Sequence, residues 1–440
     1  MNESLKIECE WWGAPNGEKD ISHVSRGAIG ISVGEECLTR LEDSCGNTVR
    51  NRLNACAHTL AGWFAGNWWR LRWEPETPGS RDDVDWRMSH SMASAGGGFC
   101  WPSILFASDG DSIAVASRAS RGRVLGPVRY LNEVTTRITA REFEREIDAF
   151  MTLLLSRLHS EGFANTELAE LWNEVMKERA EAELAQRRRL EAICGYDPGE
   201  APAEIIEMLV ADKAGLGGKA LEEVAAEGRH STAEMLRPIL ALANSKVKPA
   251  AGGFRGKMPV LTAGKKHDAK ARPWQQAAKL AQLARKEWGL GKQTVTNKQL
   301  ADLMGTKAAV FTDRTKGPTP MPIALRTSTH GNFDVYFDSS WSTSRRFAAC
   351  RLLDDHIHHT NGGRLIPATH ARTSRQQFQR AFAQEFLCPF DSLMEKIRTA
   401  QPDDEDIAEA AAHFEVSPLI VRTTFVNKGE LDRETLSWVA

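Results

Sequence analysis

Tyrosine is nearly missing from this sequence: three residues in 440, against thirteen tryptophans. Such an imbalance points to large rings buried in a core or lining a pocket, and core packing is the simpler account. The eight cysteines (Cys9, Cys37, Cys45, Cys56, Cys100, Cys194, Cys350 and Cys388) contain no CxxC pair, so scattered reduced thiols in a cytoplasm are expected. No run of about eighteen apolar residues occurs, which excludes an ordinary helical membrane span, and no membrane partner is expected. The opening MNESLKIECEWWG has neither the basic start nor the apolar stretch of a signal peptide. There is no repeat of about 20 to 50 residues, no GxSxG, no Walker loop, and no cysteine set beside a plausible histidine. Net charge is also scarce: −2 overall argues against a chain that binds nucleic acid or a membrane surface wholesale.

What is present is an ordinary globular composition, 42% hydrophobic and 26% charged, in a chain long enough for two or three domains. The pattern predicts an α+β protein. Residues 1–243 read as a mixed α/β domain with a helical extension over 140–243. In LNACAHTLAGWF, Leu53, Cys56, Ala57, Leu60 and Phe64 keep helical spacing. WWRLRW then alternates, Trp69, Leu71 and Trp73 against Arg70 and Arg72, which predicts a strand. SILFASDGDSIAVAS predicts a hairpin turning at Asp109 and Gly110. Thr139 followed by Glu142 predicts a capping box that opens a helix buried along Phe143, Ile147, Phe150, Leu154 and Leu158.

Periodicity is lost over 244–273, where Lys246, Lys248, Arg255, Lys257, Lys265, Lys266, Lys270 and Arg272 face one acid, Asp268. A flexible basic linker is the expectation, and its clustered cations make nucleic acid a possible partner through residues 245–273. A mainly helical second domain spans 274–440. WQQAAKLAQLARKEWGLG and TNKQLADLMG, with Thr296 as cap, predict helices. FDVYFD predicts a strand before STSRRFAACRLLDDHIHH. There Phe347, Cys350, Leu353 and Ile357 recur at helical intervals, leaving Arg351, Asp355, His358 and His359 on the polar side.

Arg345, Arg346 and Phe347, with the later FQRAFAQEFLCP at 378–389, make this second domain resemble the ImmA/IrrE family of metallopeptidases. The resemblance implies a zincin-like domain in which RRF precedes HExxH and a later helix supplies a third, glutamate ligand. Aligned on Phe347, HExxH falls on Arg351, Leu352, Leu353, Asp354 and Asp355. Aligned on Phe382 and Ala383, the third ligand falls on Phe378, while Glu385 matches a different glutamate of the motif. HExxH needs two histidines one turn apart to hold Zn²⁺ and a glutamate to activate its water. Here that chemistry is replaced at Arg351, Leu352, Asp355 and Phe378. An Arg and an Asp at this spacing predict an i to i+4 ion pair in place of the metal, with Phe378 filling the vacated space.

The alternative is a rewritten zinc site drawing on Asp354, Asp355, His356, His358, His359 and Glu385, with His370 in reserve. The His cluster sits at a helix end, where histidines interact with the helix C-terminus, so no metal or other cofactor is favoured. DIAEAAAHFEVSPLIVRTTFVNKGELDRE reads helix, turn, helix, with Ser417 as cap and Pro418 at the first helical position. Between Asp403 and Glu434, nine acids against Arg422, Lys428 and Arg433 disfavour DNA there and favour packing or a protein partner. The resemblance implies a degenerate, regulatory, sensory or scaffolding protein of a bacterial stress or mobile-element response. Its alternatives are a divergent zinc endopeptidase cleaving a repressor and a nucleic-acid-binding regulator.

Overall fold

In the computed structural model, the structure describes residues 4–12, 20–120, 126–245, 249, 252–262, 273–327, 331–359, 363–399 and 402–431. Helices and antiparallel strands mix throughout, as an α+β composition requires. Two compact units emerge: residues 1–206 with 371–373, and residues 207–370 with 374–440. Among the described residues, no helix is long and apolar enough to cross a membrane.

The first unit runs β1 (Leu5–Trp11), α1 (Ile21–Val24), β2 (Arg26–Val33), β3 (Glu36–Cys37), β4 (Leu41–Asp43), β5 (Thr48–Arg50), β6 (Leu53–Cys56), α2 (Ala57–Gly66), α3 (Trp68–Trp73), α4 (Val84–His90), β7 (Ile104–Ser108), β8 (Ser112–Ser117), β9 (Val128–Tyr130), β10 (Val134–Thr139), α5 (Ala140–Ser160), α6 (Glu167–Ala180) and α7 (Ala182–Ile193). β1 and β6 flank β2, and β7–β8–β10 form a second small sheet. The hairpin expected around Asp109 and Gly110 is β7 and β8, with Ser108 opposite Ile113. Asp109 stabilises the turn by accepting the backbone N–H groups of Asp111 and Ser112. The Thr139–Glu142 capping box also forms, its two reciprocal bonds 3.1 and 3.0 Å long. α5 then buries Phe143, Ile147, Phe150, Leu154 and Leu158.

WWRLRW is not a strand but α3. The alternation misleads because the arginines are buried with the tryptophans instead of facing water. Arg70 reaches Glu74 one turn along at 2.7 Å, and Arg72 reaches Glu144 at 2.5 Å and the Gly110 carbonyl at 3.0 Å. The Trp69 indole N–H donates to Glu178 at 2.7 Å. Glu74 is fully buried between Arg70 and His90, whose Nε2 lies 3.1 Å away while Nδ1 faces the Phe106 carbonyl at 2.9 Å. The His90 ring stacks on Trp86 at 4.2 Å. Burial pushes the Glu74 carboxyl up, but the His90 hydrogen bond and the nearby Arg70 charge outweigh it and hold the group down at about 2. The tryptophan excess is therefore mostly packing in this unit, where Trp63, Trp68, Trp69, Trp86, Trp101 and Trp172 are buried.

α8 (Ala203–Ala211) crosses the division between the units. The second unit continues with α9 (Gly218–Gly228), α10 (Thr232–Asn244), β11 (Gly253–Lys257), α11 (Pro273–Glu287), α12 (Asn297–Leu303), β12 (Ile323–Arg326), β13 (Asn332–Tyr336), α13 (Ser342–His358), β14 (Leu365–Pro367), α14 (Ser374–Leu387), α15 (Phe390–Lys396), α16 (Asp404–Phe414) and α17 (Pro418–Lys428). The sequence pattern groups residues 207–243 with the first domain, whereas here they pack with the second. α9 lies against β14, and Arg364 donates to the Ala243 carbonyl of α10 at 3.1 Å.

The expected linker contains β11, which pairs with β13 in an antiparallel sheet ordered β11–β13–β12–β14. Its glycines signal close packing, not flexibility: a Cβ on Gly256 would lie 2.1 Å from the Met304 carbonyl oxygen. Arg255 forms a bidentate pair with Asp334 across the strands at 2.6 and 2.7 Å. Lys246, Lys248, Lys265, Lys266, Lys270 and Arg272 lie outside the described residues. Thr296 and Gln299 complete a capping box on α12. α16 and α17 form the expected helix, turn, helix, with Ser417 at the N-cap position and Pro418 following, although the Ser417 side chain makes no capping bond.

Candidate functional site

Most of the sequence-predicted residues lie on one strand-helix-helix arrangement: β13 leads into α13, and α14 packs along α13. Two arginines hold α13 in place. Arg345 donates to the carbonyls of Ser339 and Val310, each at 2.7 Å, and to that of Thr315. Arg346 donates to Asn297 Oδ1 at 2.7 Å and to the Val295 and Glu415 carbonyls at 2.5 and 3.1 Å. Both guanidiniums are buried, so the RRF stretch acts as a clasp between α13, the loops before it and the turn after α16.

The polar side expected of α13 is not a solvent face. Arg351 is 5% and Asp355 1% exposed, both covered by α14. They stand one turn apart, yet the expected ion pair does not form because each has a better-placed partner on the neighbouring elements. Arg351 Nη2 donates to the Thr369 carbonyl and to Gln376 Oε1, each at 2.5 Å. Asp355 accepts a bidentate pair from Arg375, both bonds 2.6 Å, and a third bond from Gln379 Nε2 at 3.1 Å. His359 Nδ1 stands 3.3 Å from the same carboxylate. Burial pushes the Asp355 carboxyl up, but His359 and the Arg375 guanidinium together hold it well below the usual carboxylate range. Burial, with Arg380 nearby, lowers the Arg351 guanidinium to about 9, which leaves it charged at neutral pH.

Leu352 is fully buried in the apolar core. Phe378 does not fill a space beside Arg351 and Asp355 but packs on His358, ring centres 4.3 Å apart. The α14 residues that meet the α13 charges are Arg375, Gln376 and Gln379; Arg375 and Gln379 both reach Asp355, and Gln379 lies one residue beyond the sequence alignment. The signal was present in the i, i+3 spacing of the two glutamines on the buried stripe that continues to Phe382, Ala383 and Phe386.

The alternative metal donors do not converge. His356 lies edge-on to Phe333 at 4.7 Å, and His358 is exposed. Asp354 is buried within electrostatic reach of Arg375. Glu385 accepts from Gln282 at 2.8 Å and faces the N–H of Phe390, at the far end of α14. His370 pairs with Glu227 at 2.9 Å. Among the described residues, no group of three or more His, Cys, Asp or Glu side chains is placed to hold a metal ion. Asp355 and His359 come together, but both Asp355 oxygens are already engaged by Arg375, so this donor set does not fit a tetrahedral zinc site.

What the geometry supplies is a network of buried charge and amide groups that cross-links two helices and the loop after β14. A comparison with protein-family models, curated proteins and solved structures finds no match to the chain.

Proposed function

We propose that the chain is a catalytically degenerate ImmA/IrrE-like protein that acts by binding a protein partner, in a regulatory, sensory or scaffolding role in a bacterial stress or mobile-element response. One observation carries the reading: the positions where HExxH would stand hold Arg351, Leu352 and Asp355, and their polar atoms are engaged by Thr369, Gln376, Arg375 and Gln379. A water-activating site needs an open coordination position and a free base, and this arrangement supplies neither. The order strand, RRF helix, later packed helix supports the family resemblance. The eight cysteines form no disulfide among the described residues, which suits a reducing cytoplasm. The acidic tail helices suit a protein partner better than DNA, since Arg422 of α17 pairs with Asp404 and Lys428 lies over the Phe390 ring at 4.7 Å.

The test is elemental mass spectrometry of the full-length protein expressed with added zinc, beside a variant with His356, His358 and His359 changed to alanine. No stoichiometric metal in either protein is the expected result. About one zinc per chain, lost in the variant, would overturn the reading in favour of the divergent endopeptidase.

A further inference from the structure

β1 stands at the end of its sheet, paired with β2 alone over its 7 residues. Which of its backbone groups face β2 follows from the bonds at its two ends. The Gly34 N–H donates to the Ser4 carbonyl, and the Trp12 N–H to the Arg26 carbonyl. Facing residues alternate along an antiparallel pair, so Lys6, Glu8 and Glu10 also turn their backbone groups to β2. Leu5, Ile7, Cys9 and Trp11 turn theirs to the open edge. β2 agrees with this phase: Ile31, opposite Ile7, donates its N–H to Thr39 Oγ1 and accepts from the Leu38 N–H, both on the side away from β1.

Along that edge, among the described residues, the Ile7 N–H alone has an acceptor: it donates to Glu146 Oε1 of α5 at 2.7 Å. Leu5, Cys9 and Trp11 make no hydrogen bond there. Glu146 is half-buried and forms no ion pair among the described residues, so this amide is what its carboxylate serves. A charged side chain set against an unpaired strand is a recognised means of keeping an edge from adding another chain.

The chain that would fit this edge is a second copy of the same strand. Leu5 and Ile7 are buried in the core that α5 covers, while Lys6, Glu8 and Glu10 are exposed on the other face. Antiparallel pairing about Ile7 sets Ile7 opposite Ile7, Leu5 opposite Cys9 and Lys6 opposite Glu8, the last two contacts made twice by symmetry. Pairing about Glu8 instead sets two glutamates against each other, which is unfavourable. In the Ile7 register the outward backbone groups of both strands meet, but both Glu146 carboxylates lose their donors and converge on the twofold axis.

We propose that β1 is a self-pairing edge held closed by Glu146: the carboxylate on the Ile7 N–H keeps the chain from adding the β1 strand of a second copy, and its removal lets two chains join antiparallel about Ile7.

The experiment compares the full-length wild type with E146A by sedimentation velocity over a concentration series at low salt, with hydrogen exchange over residues 5–11. E146S serves the same test where E146A folds poorly. The expected result is a dimer whose dissociation constant is lower than that of the wild type by about tenfold or more, with the β1 amides protected as the dimer fills. Adding K6E should weaken that dimer about threefold to tenfold, and K6E/E8K should restore it, since the opposed charges are then only exchanged. Folded E146A and E146S that associate no more than the wild type would overturn the proposal. So would growth into larger assemblies with no dimer plateau, or a dimer indifferent to K6E, which would place the contact away from this register.

Discussion

Replacing Arg375 by glutamine tests whether the α13–α14 network holds the second unit together. The guanidinium meets Asp355 through two bonds of 2.6 Å, and the carboxylate it serves is 1% exposed. In R375Q that carboxylate keeps only the Gln379 amide at 3.1 Å and His359. Removing one partner of a buried pair costs about 3–5 kcal/mol, a large part of the roughly 5–15 kcal/mol by which domains are stable. D355N costs less, about 2–3 kcal/mol, because Arg375 retains nearby charge from Glu223 and Asp354. R375Q/D355N removes both charges, so its loss falls short of the sum by about 2–3 kcal/mol.

Acidity sharpens the test. In the wild type the Asp355 carboxyl is depressed, so its contribution is fully present above its unfolded value of about 3.9 and is lost as pH falls through the lower folded value. Without Arg375 the burial that raises this carboxyl is opposed less. The group then protonates at higher pH, and the deficit of R375Q relative to wild type shrinks as pH falls from about 7 toward about 4. Native-state hydrogen exchange of the α13 and α14 amides is the appropriate assay, since a chain of two compact units need not unfold in one transition. A cost below about 1 kcal/mol at neutral pH, or a deficit that does not narrow in acid, would refute the assignment.

Arg346→Ala should destabilise the second unit by about 3–5 kcal/mol and loosen α16 and α17 first, because Arg346 ties the Glu415 turn to α13; hydrogen exchange over 404–428 checks it. Glu74→Gln strips the carboxylate from Arg70 and His90 and should cost the first unit about 3 kcal/mol at neutral pH. Since Glu74 titrates at about 2 when folded and about 4.3 when unfolded, that deficit should narrow in urea titrations below about pH 4. If the zincin resemblance is a true one, R351H/L352E/D355H/Q379E should take up about one zinc per chain by elemental analysis. The same set with F378E in place of Q379E should not, because Gln379 meets position 355 and Phe378 faces His358.

Local chemistry was legible wherever a few neighbouring residues decide the outcome. The Thr139–Glu142 box, the Thr296 cap, the Asp109 hairpin and the Pro418 helix start depend on bonds within about four residues, and each element stands where the spacing placed it. Reading failed where the decisive partner is distant in the chain. WWRLRW alternates like a strand, but its arginines are satisfied by Glu74, Glu144 and Gly110, so helix and burial coexist. The glycines at 253 and 256 look like a linker until β13 and Met304 lie against them. Arg351 and Asp355 have the spacing of an ion pair, but whether they pair depends on what α14 offers, and Arg375, Gln376 and Gln379 outcompete a contact along the helix. The sequence alone thus determined the local caps, the Asp109 hairpin and the placing of Arg351, Leu352 and Asp355 along one helix. Tertiary structure decided which unit owns α9, which α14 residues meet Asp355, and where the buried charges find partners, because desolvated groups bind the nearest complementary atoms in space and not along the chain.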